Sequence, residues 1–72
     1  MDEEIEVDRY YLIDDEQYFW AGIDVEEVKY GENLKEAISF ETLDQAKRFK
    51  KTLKVNWGED FNIVKINFEF IK

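Results

Sequence analysis

From Ile5 to Ile13 apolar and polar positions alternate. Ile5, Val7, Tyr11 and Ile13 fall on one side and Glu6, Asp8, Tyr10 and Leu12 on the other, with Arg9 interrupting the apolar side. A period of two is that of a β-strand. Asp14-Asp15-Glu16-Gln17 follows as a polar turn of hairpin-loop length, without the Asn-Gly or Asp-Gly pair that marks the tightest hairpins. A second strand is expected from about Tyr18 to Val25 or further, with Phe19, Ala21, Ile23 and Val25 on one side and Tyr18, Trp20 and Asp24 on the other.

Residues 28–40 carry a weaker pattern. Lys29-Tyr30-Gly31-Glu32-Asn33 reads as a turn, and Leu34-Lys35-Glu36-Ala37 as one short helical turn before Ile38-Ser39-Phe40. Thr42-Leu43-Asp44-Gln45 then fits a capping box, with Thr42 at the N-cap and Gln45 reaching back to its N–H. Leu43, Ala46, Phe49 and Leu53 recur at helical spacing, Asp44 stands in the first turn, and Lys50, Lys51 and Lys54 stand in the last. About twelve residues at 1.5 Å rise make a helix of roughly 18 Å. After a turn through Asn56-Trp57-Gly58-Glu59-Asp60, a last strand is expected over Phe61 to Lys72. Val64, Ile66, Phe68 and Phe70 line one side of it, and Lys65, Asn67 and Glu69 the other.

The expected fold is therefore a single α+β domain over residues 1–72 with ββαβ order. Its sheet has three strands, or four, antiparallel or mixed, with one helix packed on one face. The last strand pairs antiparallel beside the first, giving the order 2-1-3, after a right-handed crossover through the helix. If Ile5, Val7, Tyr11, Ile13, Phe19, Ala21, Ile23, Val25, Val64, Ile66, Phe68 and Phe70 face the helix, then Tyr10, Leu12, Tyr18 and Trp20 form an uncovered aromatic patch. Exposed apolar patches of that kind mark interaction sites, and Tyr and Trp are enriched at binding hot spots. Two plainer arrangements compete with it: Leu34 to Phe40 folding back over this face, or Tyr10 and Trp20 forming a cross-strand pair that steadies the hairpin.

Charge sharpens this picture. The chain of 72 residues has a net charge of −8. Residues 1–27 hold eleven acids against Arg9 alone, a net −10, while the rest hold seven acids and nine bases, a net +2. Such asymmetry bears on partners, and it disfavours nucleic acid as a partner of the first third. There is no Cys and no His, which removes thiolate zinc ligation, thiol nucleophiles and the commonest general base. Ser39 is the only serine and sits in no nucleophile elbow. No catalytic residue, metal site or cofactor is expected. Asp24 with Glu27-Val28-Lys29 has only a faint likeness to the Asp…Glu-x-Lys core of metal-dependent nucleases, without their basic groove. Lys47, Lys51 and Lys54 share one helical face that could touch phosphate, yet the overall negative charge opposes this at longer range. No apolar run approaches the roughly 20 residues of a membrane span, so a soluble, cytoplasmic protein is the default expectation.

The segments Tyr10-Tyr11-Leu12-Ile13, Tyr18-Phe19-Trp20, Glu36-Ala37-Ile38-Ser39-Phe40-Glu41-Thr42 with Ala46 and Phe49, and Phe61-Asn62-Ile63-Val64-Lys65 carry a resemblance. Over most of the domain the chain resembles small uncharacterised proteins encoded by bacteriophages and prophages of Gram-positive bacteria. That resemblance implies a ββαβ fold and a viral origin; it carries over no functional residue. In type, the chain is similar to acidic phage inhibitors of host restriction and CRISPR effectors, which occupy a basic nucleic-acid channel. The expected role is a non-enzymatic, DNA-mimic-style inhibitor that binds a host protein with a basic nucleic-acid-binding groove, with no direct nucleic-acid or membrane binding. The expected contact residues are Asp8, Tyr10, Asp14, Asp15, Glu16, Tyr18, Trp20, Asp24, Glu26 and Glu27. The alternative is a self-associating assembly module whose aromatic sheet face forms a homodimer interface.

Overall fold

The computed structural model describes residues 3–71. Met1 and Asp2 of the acidic N-terminal run, and Lys72 at the expected end of the last strand, lie outside them. The chain folds as β1 (Glu4–Ile13), β2 (Phe19–Asp24), β3 (Glu27–Gly31), α1 (Leu43–Trp57) and β4 (Asn62–Ile71). Four antiparallel strands form one sheet in the order β3-β2-β1-β4, an α+β architecture. β1 and β4 pair over ten residues, from Glu4 opposite Ile71 to Ile13 opposite Asn62.

β3 is a strand where only a turn was expected. β2 ends at Asp24, and Val25 and Glu26 form a two-residue hairpin loop, both at positive φ (47° and 65°). This is the geometry of the tight turn that suits the twist of paired strands. Val25 is thus a loop tip, 89% exposed, rather than a core-facing strand residue. The side chains on β2 also change parity. The register shifts between Trp20 and Gly22, so that Trp20 lies opposite Tyr30 and Ile23 opposite Val28. That bulge puts Ile23 on the same face as Trp20, where strict alternation had placed it with Phe19.

The helix begins as its sequence requires. The Thr42 hydroxyl accepts from the Gln45 N–H at 3.2 Å, and the Gln45 side chain reaches back to the Glu41 N–H, one residue before the cap. Gly58 ends it in the left-handed conformation (φ 68°), its N–H returning to the Leu53 and Lys54 carbonyls. The helix runs on to Trp57, a turn further than the Leu43–Leu53 stripe alone implied, and Trp57 packs at the edge of the core.

The face that α1 covers is the reverse of the one expected. Leu12, Trp20, Phe40, Ala46, Leu53 and Phe61 form the core, with Tyr10, Val28, Trp57 and Ile63 packed against it. Phe40 stacks on Trp20 at 5.8 Å with its ring parallel, and Phe49 tilts against both. The segment before the helix does not fold over the Tyr10/Trp20 face as a layer but enters the sheet beside Tyr10, adding the Phe40 ring to that face. Phe40 exchanges two backbone hydrogen bonds with Tyr10 (2.8 and 2.9 Å), and the Ile38 N–H donates to the Trp20 carbonyl at 3.0 Å. It wedges between β1 and β2, which pair directly only at Ile13 and Phe19.

The reason is volume against length. The bulky aromatics are concentrated at the hairpin end, and a helix of fifteen residues, about 22 Å long, covers only part of ten-residue strands about 33 Å long. On the same face the distal positions are, apart from Ile71, all polar: Glu4, Glu6, Asp8, Asn67 and Glu69, which a helix could not bury without large desolvation costs. Distal β1 and β4 consequently project as a two-stranded arm, and the described residues extend 49 Å by 23 Å by 22 Å. The other face of the sheet, with Ile5, Val7, Val64, Ile66 and Phe68 half-buried and Phe70 exposed, has no second layer among the described residues.

Candidate functional site

At the hairpin end the β1–β2 loop and the segment after α1 meet around an open hollow of about 600 Å³, lined by Asp14, Asp15, Glu16, Tyr18, Tyr30, Gly58, Glu59 and Asp60. The Asp14 carboxylate shapes the loop by accepting from the Glu16 N–H (2.9 Å) and the Tyr18 N–H (2.8 Å), while the Asp14 N–H donates to the Tyr18 carbonyl at 2.9 Å. An aspartate that organises a turn through its own neighbours' N–H groups is the usual Asx-turn device. Asp15 accepts from the Asn62 amide at 3.3 Å, which fastens the loop to the start of β4.

On the opposite wall, the Gly58 cap turns the chain so that Glu59 and Asp60 follow at once. The Glu59 N–H donates to the Leu53 carbonyl at 3.3 Å. Tyr30 lies between these walls, its ring against Phe61 with centroids 6.0 Å apart. Burial pushes its phenol up to about 12, helped by the neighbouring Glu59 carboxylate and by the negative charges of Asp14 and Glu16. A phenol held this firmly protonated is a hydrogen-bond donor in a field that favours cations.

Five carboxylates thus ring the hollow, and the cation paired with them is Lys54, 2.9 Å from Asp60 with both side chains well exposed. The carboxylates do not converge as ligands: among the described residues no three acidic side chains could hold one metal ion. What the arrangement offers is a concave negative surface with two half-exposed tyrosines, Tyr18 and Tyr30 (39% and 42%).

The expected contact residues divide sharply on this geometry. Asp14, Asp15, Glu16 and Tyr18 come together here. Tyr10 and Trp20 do not, because both pack into the core under α1 beside Phe40, Trp20 at 5% exposure. The aromatic face proposed for a homodimer is for the same reason covered by the chain itself. Asp8 lies on the arm, where it accepts from Asn67 (2.8 Å) and pairs with Lys65 (3.6 Å); the Asn67 hydrogen bond, and then Lys65, hold its carboxyl below the usual value against some desolvation. Asp24, Glu26 and Glu27 sit at the β2–β3 turn, with Asp24 3.8 Å from Lys29 and the Glu26 carbonyl accepting from Trp57.

Tyr30, Glu59 and Asp60 were missing from the expected site. The available signal was the capped helix end, since Gly58 as its stop makes Glu59-Asp60 return toward the strand ends; the place of Tyr30 depends on β3. A second, smaller hollow of about 310 Å³ lies beside the first, lined by Lys47, Lys50, Lys51 and Lys54 together with Glu59, Asp60, Phe61 and Ile63. The basic stripe of the helix therefore borders the acidic end. No helix among the described residues is long and apolar enough to cross a membrane. No family model matches the chain, and no curated protein or solved structure matches it.

Proposed function

We propose that this protein is a non-enzymatic binding module that presents its acidic end to a Lys/Arg-lined groove of a nucleic-acid-handling protein and so competes with nucleic acid there. The observation that carries this reading is the ring of Asp14, Asp15, Glu16, Glu59 and Asp60 around Tyr18 and Tyr30. A concave patch of one sign steers an oppositely charged surface and raises the association rate. Half-exposed tyrosines supply anchors that gain from desolvation once docked. A small acidic phage-type inhibitor of a host restriction or CRISPR effector is the role in which such a surface is used most directly.

The test is capture from a bacterial lysate on the immobilised protein, followed by elution with competing DNA or RNA and association kinetics with whatever is eluted. The expected outcome is a nucleic-acid-binding protein whose association rate falls about tenfold or more with Asp14→Lys plus Asp15→Lys at low salt. Capture that nucleic acid does not displace, or a rate unchanged by the double reversal, overturns the reading.

A further inference from the structure

β4 is the outer strand of the sheet, and its free edge is long and regular. It contains no proline and no register shift against β1; of the devices that normally blunt an exposed edge it has only charges, Lys65 and Glu69, and these are of opposite sign. The backbone shows which residues face that edge. Tyr10 gives both its N–H and its C=O to Phe40 on the far side of β1. Its partner across the sheet, Lys65, therefore points its own N–H and C=O away from β1. By alternation Ile63, Asn67, Glu69 and Ile71 do the same, leaving five donors and five acceptors in a row along the edge.

We propose that this edge pairs antiparallel with the β4 edge of a second copy of the chain, about a two-fold axis through Asn67. The strand Ile63-Val64-Lys65-Ile66-Asn67-Phe68-Glu69-Phe70-Ile71 is self-complementary in that register. Lys65 meets Glu69 of the second copy twice over, Asn67 meets Asn67, Ile63 meets Ile71, Val64 meets Phe70, and Ile66 meets Phe68. Opposite charges and apolar pairs directly across an antiparallel ladder are each favourable, and like charges unfavourable. Alternation of the backbone groups permits only registers displaced by two residues. Moving the axis to Lys65 sets Lys65 against Lys65, moving it to Ile66 sets Ile63 against Glu69, and moving it to Phe68 sets Lys65 against Ile71.

A second feature points the same way. Within one chain Glu69 lies directly opposite Glu6, a like-charge pair, and no cation pairs with Glu69 among the described residues. Lys65 of the second copy supplies one. The five edge-facing residues of each copy exchange ten backbone hydrogen bonds in all, about the number in a typical protein interface. The contact is isologous, so it closes as a dimer and does not propagate. It uses neither the acidic hollow nor the buried aromatics, and so stands or falls independently of the proposed function.

Sedimentation velocity of the full chain over a micromolar concentration series is the test, with circular dichroism to confirm folding of each variant. The wild-type chain is expected to be a dimer. E69K places lysines at both charged positions of the edge and K65E places glutamates at both, so each alone should dissociate about tenfold or more readily. Mixing the two restores both opposite-charge pairs and should give a heterodimer, which a variant that had merely lost its fold could not form. N67P removes an outward N–H and the Asn67–Asp8 side-chain bond but no backbone bond of the β1–β4 ladder, and should leave a folded monomer. A wild-type monomer throughout the series overturns the proposal, as does a dimer that E69K and K65E leave equally tight, which would place the contact on another surface.

Discussion

Trp57 and Glu26, thirty-one positions apart, are joined by a 2.7 Å hydrogen bond from the indole N–H to the backbone carbonyl. The bond ties the last turn of α1 to the tip of the β2–β3 hairpin, the part of the sheet furthest from β4. Since β1 and β2 pair directly at only one position, this tie and the Phe40 segment hold the hairpin in place. Trp57→Phe keeps a ring but loses the donor. A net cost of about 1–2 kcal/mol is expected for the lost bond, which in a domain of this size lowers the melting temperature by roughly 4–8 °C per kcal/mol. A melting temperature unchanged in a thermal scan would show that the hairpin is held otherwise.

The β2–β3 loop offers the opposite change. Val25 at φ 47° and Glu26 at φ 65° occupy the left-handed region, which costs roughly 1–2 kcal/mol for residues with a branched or bulky Cβ substituent. Asn-Gly is the pair this two-residue turn favours. Val25→Asn with Glu26→Gly should therefore raise stability by about 1 kcal/mol or more in denaturant unfolding, with the slope unchanged. A loss of stability would show that these side chains do more than occupy the turn.

At Gly31 the constraint is space. A Cβ built there would lie 2.7 Å from the Glu36 Cβ, a contact that no rotamer change relieves because both atoms are fixed to backbone. Gly31→Ala should push the 32–37 loop away from β3 and cost about 1–3 kcal/mol. Amide exchange should rise in the Glu36 and Ala37 N–H groups, which the loop holds through bonds to Asn33 and Leu34; unaltered exchange there would contradict the close approach.

Which parts of this fold could be read from the sequence depended on whether the signal was local. The Thr42 cap, the helical stripe of Ala46 and Leu53, the alternation of β1 and β4 and their antiparallel pairing are written in neighbouring residues. β3 was hidden because its turn uses Val-Glu in place of Asn-Gly, and the parity of β2 because one bulge between Trp20 and Gly22 reverses every later side chain. The face of the sheet was misjudged by counting apolar positions along whole strands. Leu12 and Trp20 lie opposite a wealth of valines and isoleucines, but they sit where Phe40, Phe49 and Phe61 converge, and those contacts are long-range. Of the candidate site, the turn acids were legible and their neighbours Tyr30, Glu59 and Asp60 were not.

That reversal gives Trp20 a measurable role. As a member of a solvent-facing patch it could be truncated at little cost, whereas at 5% exposure between Phe40 and Phe49 its removal leaves a large cavity. Trp20→Ala should cost about 3–5 kcal/mol, enough to leave a domain of this size largely unfolded at room temperature. Trp20→Phe should be far milder, because the indole N–H makes no hydrogen bond among the described residues and its loss strands no partner there. Near-ultraviolet dichroism of the two variants distinguishes the cases, and a folded Trp20→Ala chain would return Trp20 to the surface.

Tyr30 links the acidic end to stability at high pH. Its phenol is raised from 10.0 to about 12 by burial, the neighbouring Glu59 carboxylate and the charges of Asp14 and Glu16, so the folded state holds its proton over a range in which the unfolded chain releases it. The stabilisation is fully present below pH 10 and is lost as pH rises from 10 toward 12. Ultraviolet titration of the four tyrosines should therefore show a late-ionising phenol, and Tyr30→Phe should abolish that late step. Glu59→Gln removes the charge while keeping a hydrogen-bond acceptor, and should move the step earlier without abolishing it, because burial remains its largest cause. If Glu59→Gln left the titration where it was, the wall formed by Glu59 would not face Tyr30, and the acidic hollow would lose the side that the helix end gives it.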